Sequence, residues 1–228
     1  MNSKLVNIHT HTMHGGALCL VSHALGIGHE RPPYPHSEGI HPWSVERIAD
    51  PQALIEEMRH APGVLAVGEI GLDRMARADA ELQKRLFAAQ LDAAEELALP
   101  VILHCVKAFE ETMAELARRS LPAVVFHGFI GSVRQAELAA ERGYCLSFGP
   151  RSLRSPRTVE ALRNLPSERI FTETDDNDDT IEAMYARVAA VRGTEPEALA
   201  IDMYRNFKRI FPATDDTQLT ANDPERRL

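Results

Sequence analysis

Apolar residues recur along this chain in short runs, most of them separated by stretches whose apolar positions fall three and four apart. Runs at residues 4–9 (KLVNIH), 17–21 (ALCLV), 38–41 (EGIH), 64–69 (VLAVGE), 101–104 (VILH), 123–127 (AVVFH), 144–148 (YCLSF) and 170–174 (IFTET) predict eight strands. Such runs, bounded by Gly and Pro, read as parallel strands buried on both faces. Between the later runs, residues 80–99 place Leu82, Leu86, Ala89, Ala93 and Leu97 on one helical face. Asp79 can cap that helix and Pro100 ends it. Residues 50–60, 108–119, 133–142, 155–163, 181–192 and 195–211 carry similar patterns. Strands alternating with helices over this length predict a parallel α/β sheet, open or closed.

The first forty residues break the rhythm. Only five residues separate His11 from Ala17, and a parallel crossover takes about a dozen or more. The second strand is therefore expected to run antiparallel to the first or to lie outside the main sheet. Residues 26–38, rich in Gly, Pro and His, read as a long loop. No internal repeat and no linker is visible, so residues 1–212 are expected to form a single domain. The polar, aperiodic tail 213–228 is expected to be poorly ordered.

The length of 228 residues fits a closed α/β barrel near the low end of its range and needs no staples to bury a core. No apolar run is long enough for a transmembrane helix, and the N-terminus lacks the apolar stretch of a secretory signal. Cys19, Cys105 and Cys145 form no CxxC pair and are odd in number, which argues against a disulfide framework and for a reducing, cytoplasmic setting. The net charge of −8 argues against tight, sequence-blind binding of duplex nucleic acid, while leaving room for a local basic groove.

Chemistry concentrates where polar residues interrupt the apolar runs. His9 and His11, two positions apart, project from the same face of the first strand. Glu69, His104 and His127 end later strands, and Asp175 directly follows the last. Six potential metal ligands thus sit at the C-terminal ends of five predicted strands, the rim where α/β barrels build active sites. Imidazole with carboxylate suits Zn, Mn or Fe, and Mg less well. A buried carboxylate is costly unless paired or metal-bound. His41 lies near the same rim, as substrate contact, ligand support or structural cap. His14, His23, His29 and His36 fall in the loop-rich region and are expected to be solvated or structural. Cys105 is expected to face the helix layer as a small buried residue rather than a nucleophile. Arg151, Arg154 and Arg157 recur every third position after the seventh strand, either as phosphate contacts or as a solvated basic face.

The ordered strings NIHTH (7–11), GIHPW (39–43), AVGEIGLD (66–73), LPVILHC (99–105), FHGFIGS (126–132), CLSFG (145–149), FTETD (171–175) and RNFKRIF (205–211) make the chain resemble the TatD family of metal-dependent hydrolases, within the amidohydrolase-type barrels. The resemblance implies a distorted TIM-like (β/α)8 barrel with a shortened N-terminal β/α region and one or two divalent ions, Zn, Mn or Mg. It implies His9, His11, Glu69, His104, His127 and Asp175 as ligands, with Glu69 able to bridge two ions. Family patterns usually have Asp at Asn7, a small residue at Ile8, Arg at Val106 with Lys107 its neighbour here, and Pro at Asn177. These departures imply an intact metal site with an altered substrate site, to which His41, Lys107, Arg151 and Arg154 are candidate contributors.

The activity so implied is hydrolysis of a phosphoester, in a small molecule or short single-stranded nucleic acid, by a metal-activated water. Asp175 would take the water's proton, with Glu69 sharing the catalytic metal. The alternatives are an amide or ester hydrolase acting on a small molecule, a non-catalytic metal-binding barrel, and a PHP-type phosphoesterase, which would not account for GEIGLD and TETD in this order. Neither a membrane nor an obligate protein partner is implied.

Overall fold

A computed structural model describes residues 4–28 and 30–220. The elements in chain order are β1 (Leu5–Thr10), β2 (Ala17–Ala24), β3 (His36–Gly39), α1 (Pro51–Arg59), β4 (Val64–Asp73), α2 (Ala80–Glu96), β5 (Val101–Val106), α3 (Phe109–Leu116), β6 (Val124–Phe126), α4 (Val133–Glu141), β7 (Cys145–Phe148), α5 (Pro156–Asn164), β8 (Ile170–Thr172), α6 (Ile181–Arg192) and α7 (Pro196–Ile210), with short 3-10 turns between and after them. The chain divides into two compact units, one of residues 1–21 with 127–228 and the other Ser22–Phe126.

In the first unit β1 pairs in parallel with β2, and β7 with β8. A parallel bridge from Thr10 to Asp175 joins the end of β1 to the segment after β8. Asn7 strengthens that junction: its Nδ2 donates to Thr174 Oγ1 at 2.8 Å, and its Oδ1 accepts from Thr174 N at 3.1 Å. An ionised carboxylate at this fully buried position could accept but not donate. The α6 residue Tyr185 is also buried, and its hydroxyl accepts from Val6 N and donates to Val6 O, fixing the helix against β1.

The parallel pairing of β2 corrects the expectation that it would run antiparallel or stand apart. In the register Leu5↔Ala17 the chain must return along the full length of β1. A six-residue strand rises roughly 17 Å, within the span of about 20 Å open to six connecting residues, and residues 11–16 make the return through bends and a turn. The return therefore needs no helix. The tail is also more ordered than expected over its described part. Leu219 is buried within a 3-10 turn, Tyr204 Oη donates to Asp216 Oδ2 at 2.6 Å, and Lys208 Nζ donates to Thr214 O at 2.8 Å. Residues 221–228 lie outside the described residues.

In the second unit β3, β4, β5 and β6 pair successively in parallel. β3 begins at His36, inside the stretch expected to be loop. Its sequence HSEG has no large apolar side chain, although all four residues are buried. Helix α2 starts on Asp79, whose carboxylate accepts from Leu82 N. Its buried face carries Gln83, Leu86, Phe87, Gln90 and Leu91, rotated from the expected stripe, so that Leu82, Ala89 and Leu97 lie at its margins. The two glutamines are buried because backbone satisfies their amides. Gln90 accepts from Ile40 N at 2.6 Å and donates to Ile40 O at 3.2 Å. Gln83 accepts from Asp73 N at 2.9 Å and donates to Asp73 O at 3.2 Å. They clamp the ends of β3 and β4 beside His41 and Asp73.

Candidate metal centre

In the unit of residues 1–21 and 127–228, β1 delivers His9 and His11, the end of β6 delivers His127, and the turn after β8 delivers Asp175. His9 Nε2 lies 3.5 Å and His11 Nε2 3.4 Å from Asp175 Oδ1, so the carboxylate is shared by both histidines of the H-x-H pair. One ligand atom from each of these residues lies within 4.8 Å of the others. Burial alone would raise the Asp175 pKa, but hydrogen bonds from His11 and His9 outweigh it and hold the carboxyl well below the usual carboxylate range. Asp175 therefore stays ionised. His9 is fully buried, with its ring centroid 4.1 Å from that of His127.

His127 is oriented by Glu173, a residue within FTETD that no ligand spacing singles out. Fully buried Glu173 accepts from Gly128 N at 2.6 Å and from His127 Nδ1 at 3.3 Å. With its proton on Nδ1, His127 presents a lone pair at Nε2. A carboxylate behind a histidine is the arrangement that fixes tautomer and ring direction in metal sites.

The unit Ser22–Phe126 repeats the device on the opposite ring nitrogen. Asp73, at the end of β4, accepts from His104 Nε2 at 3.1 Å and from Trp43 Nε1 at 2.7 Å through Oδ2. Its Oδ1 accepts from Met75 N at 2.7 Å and Ala76 N at 3.2 Å. Burial opposes ionisation of Asp73, but the His104, Trp43 and Met75 hydrogen bonds prevail and lower its pKa far below the ordinary value. With Nε2–H given to Asp73, His104 Nδ1 lies only 2.6 Å from Glu69 Oε1. At that separation the two atoms share a proton in a hydrogen bond, and an ion bound by both would replace that proton with the two atoms moved further apart.

His41 Nε2 is 3.2 Å from the same Glu69 oxygen. Its Nδ1 accepts from Trp43 N at 3.1 Å, which sets the proton on Nε2. His41 is therefore a hydrogen-bond donor that positions Glu69. The close approach of β4 to β5 here depends on Gly71 (φ 148°), where a Cβ would overlap the carbonyl oxygen of His104.

The remaining candidates lie further from this chemistry. Arg151 is exposed and ion-paired with Asp176 at 3.2 Å, so it stands beside the Asp175 turn. Arg154 and Arg157 are exposed, but the bend at Ser155 places them in different elements, a 3-10 turn and α5. Lys107 is exposed with a positive φ of 55°. Cys105 bonds Thr112 Oγ1 at 3.5 Å, and burial pushes its thiol pKa up, in keeping with an inert residue. His14 is half-buried, and His29 lies outside the described residues. His23 and His36 are buried on strands, not solvated.

The family model for TatD-related DNase matches residues 20–212. The 3'-5' ssDNA/RNA exonuclease TatD of Erwinia billingiae is 33% identical over 218 residues, 82% of this chain and 82% of that protein. The uncharacterized metal-dependent hydrolase YjjV of Escherichia coli is 35% identical over 144 residues, 60% of this chain and 56% of that protein. The crystal structure of the Escherichia coli YjjV TatD homolog superposes with a TM-score of 0.80 at 24% identity, covering 94% of this chain and 100% of that one. The chain belongs to the TatD-related DNase family and is a hydrolase of the TatD type. Its fold is the TIM-like α/β barrel of that family, as the resemblance implies, and a parallel α/β arrangement is what the strand–helix alternation predicts. The family match begins after β1, so the His9 and His11 strand owes its assignment to its position beside His127 and Asp175. No described helix is long and apolar enough to cross a membrane.

Proposed function

We propose that residues 1–212 act as one metal-dependent barrel that hydrolyses phosphodiester bonds in short single-stranded nucleic acid. In this reading His9, His11, Glu69, His104, His127 and Asp175 hold one or two divalent ions. The observation that carries it is His104, with Nε2–H committed to Asp73 and Nδ1 set 2.6 Å from the Glu69 carboxylate. That donor set fits a zinc- or manganese-class ion, and the carboxylates behind His104 and His127 fit the support such ligands take. When bound, a divalent ion supplies Lewis acidity to the phosphoryl oxygen and lowers the pKa of an adjacent water. Asp175, kept ionised by His9 and His11, accepts the water's proton. His41 holds Glu69 by a hydrogen bond, and Asp73 and Glu173 keep His104 and His127 in single tautomers.

Trp43 favours a nucleic acid substrate. Its side chain is 57% exposed, yet its indole N–H is fixed by Asp73. Trp43, Met75, Arg47 and Arg77 line a cavity of about 350 Å³. An unstacked base can lie on a fixed indole while the arginines meet phosphate. Arg151 and Arg154 are further candidate phosphate contacts, and Lys107 a lesser one. The unpaired cysteines support a reducing, cytoplasmic setting.

The test is to deplete the protein of metal, restore Zn²⁺, Mn²⁺ or Mg²⁺ singly, and offer end-labelled single-stranded oligonucleotide, duplex of the same sequence and an uncharged aryl ester. Metal-restored cleavage of the single strand is expected. Turnover of the ester with no oligonucleotide cleavage under any metal would favour the small-molecule ester or amide hydrolase and reject this reading.

A further inference from the structure

A second group of metal-ligating side chains lies within the unit Ser22–Phe126, on residues that the hydrolytic reading does not use. His36 and Glu38 are two positions apart on β3 and project from one face. His23, near the end of β2, faces them, with its Nδ1 3.0 Å from Glu38 Oε1. His36 and Glu38 are fully buried and His23 is 8% exposed. One ligand atom from each of the three lies within 4.8 Å of the others.

The hydrogen bonds leave two acceptors unsatisfied. His36 Nδ1 donates to Tyr34 O at 2.7 Å, so its lone pair is on Nε2, and Nε2 has no hydrogen-bond partner among the described residues. Glu38 Oε1 accepts from Arg31 Nε at 2.9 Å and lies 3.0 Å from His23 Nδ1, whereas Glu38 Oε2 has no hydrogen-bond partner among the described residues. Arg31 is divided between Glu38 and Glu57, at 3.1 Å from the latter. A desolvated carboxylate oxygen and an imidazole lone pair, with no donor among the described residues to serve either, suit a cation's coordination shell better than a hydrogen-bond network. The His36 Nδ1 bond to a backbone carbonyl is the orientation that metal-ligating histidines take.

We propose that His23, His36 Nε2 and Glu38 Oε2 bind a structural zinc ion, with water completing the tetrahedron. Two imidazoles and one carboxylate are a recurrent zinc donor set. The position explains its use. The segment 25–35 between β2 and β3 has no helix among its described residues, so an ion here pins the end of β2 to β3 where a covering helix is missing.

The zinc site is independent of the hydrolytic reading, and its deciding test needs no activity assay. Crystals of the wild-type protein grown at saturating Zn²⁺ are measured on both sides of the zinc absorption edge. An anomalous peak bonded to His36 Nε2 and Glu38 Oε2 is expected. A water at that position, with zinc peaks elsewhere, would overturn the proposal. His36→Gln is expected to bind one zinc equivalent fewer than wild type while its oligonucleotide turnover stays unchanged; equal zinc content would contradict it. Should His36→Gln fail to fold, the wild-type crystals alone decide.

Discussion

Two histidine pockets in the unit Ser22–Phe126 use nearly the same residue types for different ends. Around His104, the carboxylates of Glu69 and Asp73 take one ring nitrogen each, and exposed Trp43 stands at the edge. Around His36, a backbone carbonyl takes one nitrogen, Arg31 takes one oxygen of Glu38, and His36 and Glu38 are fully buried. The first pocket is accessible and doubly anionic, so an ion held there can meet a substrate. The second is buried and partly neutralised by Arg31, so an ion proposed there would hold strands together. Residue type identifies a metal site; access and the charge around it decide whether the site is catalytic.

The comparison breaks most sharply on deletion of one ligand from each pocket. His104→Ala is expected to abolish turnover together with bound catalytic metal, whereas Glu38→Gln should leave turnover intact and lower the unfolding midpoint. Metal analysis, rates and thermal melts on the pair check this; loss of activity in both would make the distinction false.

A smaller effect is expected one shell out. Asp73→Asn keeps the shape but weakens the hold on His104, and should lower metal affinity or activity about 10–100-fold. Because the folded-state pKa of Asp73 is depressed, the ionised carboxylate stabilises the fold at pH values above its unfolded pKa of about 4, and that contribution is lost as pH falls below it. Melting temperatures of wild type and Asp73→Asn should therefore converge on acidification from neutrality to below about pH 4. A constant gap would remove Asp73 as the source.

Trp43→Ala should raise KM for a single-stranded oligonucleotide by an amount corresponding to about 1–3 kcal/mol of lost stacking. Trp43→Phe should recover much of that loss, since it retains a ring but not the N–H bonded to Asp73. If Ala and Phe variants behave alike, the indole serves Asp73 and not the substrate. The smallest change is expected from Arg151→Gln with Arg154→Gln, which should raise KM for oligonucleotide several-fold, in line with the about 0–1 kcal/mol carried by exposed charges. An uncharged ester should be unaffected; equal loss on both substrates would make the arginines structural.

Much of this was legible before any coordinates. Apolar runs coincide with seven of the eight strands because buried parallel strands are apolar on both faces, and His9, Glu69, His104 and His127 stand out as polar interruptions of such runs. β3 was displaced because HSEG offers no apolar pattern: its burial rests on polar contacts that only the fold creates. Gln83 and Gln90 escaped notice for the same reason, since a buried amide is affordable only with backbone partners that sequence does not reveal. Asp73 and Glu173 were in view within GEIGLD and TETD, but their service to His104 and His127 depends on side-chain direction. The orientation of β2 departs from expectation because the six residues 11–16 return along β1 without the helix that a parallel crossover usually carries.

The most direct measurement of the central claim is metal content and single-turnover rate for Asp175→Asn at saturating Mn²⁺ or Zn²⁺. The substitution keeps the shape and one oxygen but removes the charge that His9 and His11 hold in place. The account predicts a folded protein with partial metal occupancy and oligonucleotide turnover reduced by about 10²–10⁴, the range for loss of a general acid–base group. Near-wild-type turnover with the metal site filled would contradict it.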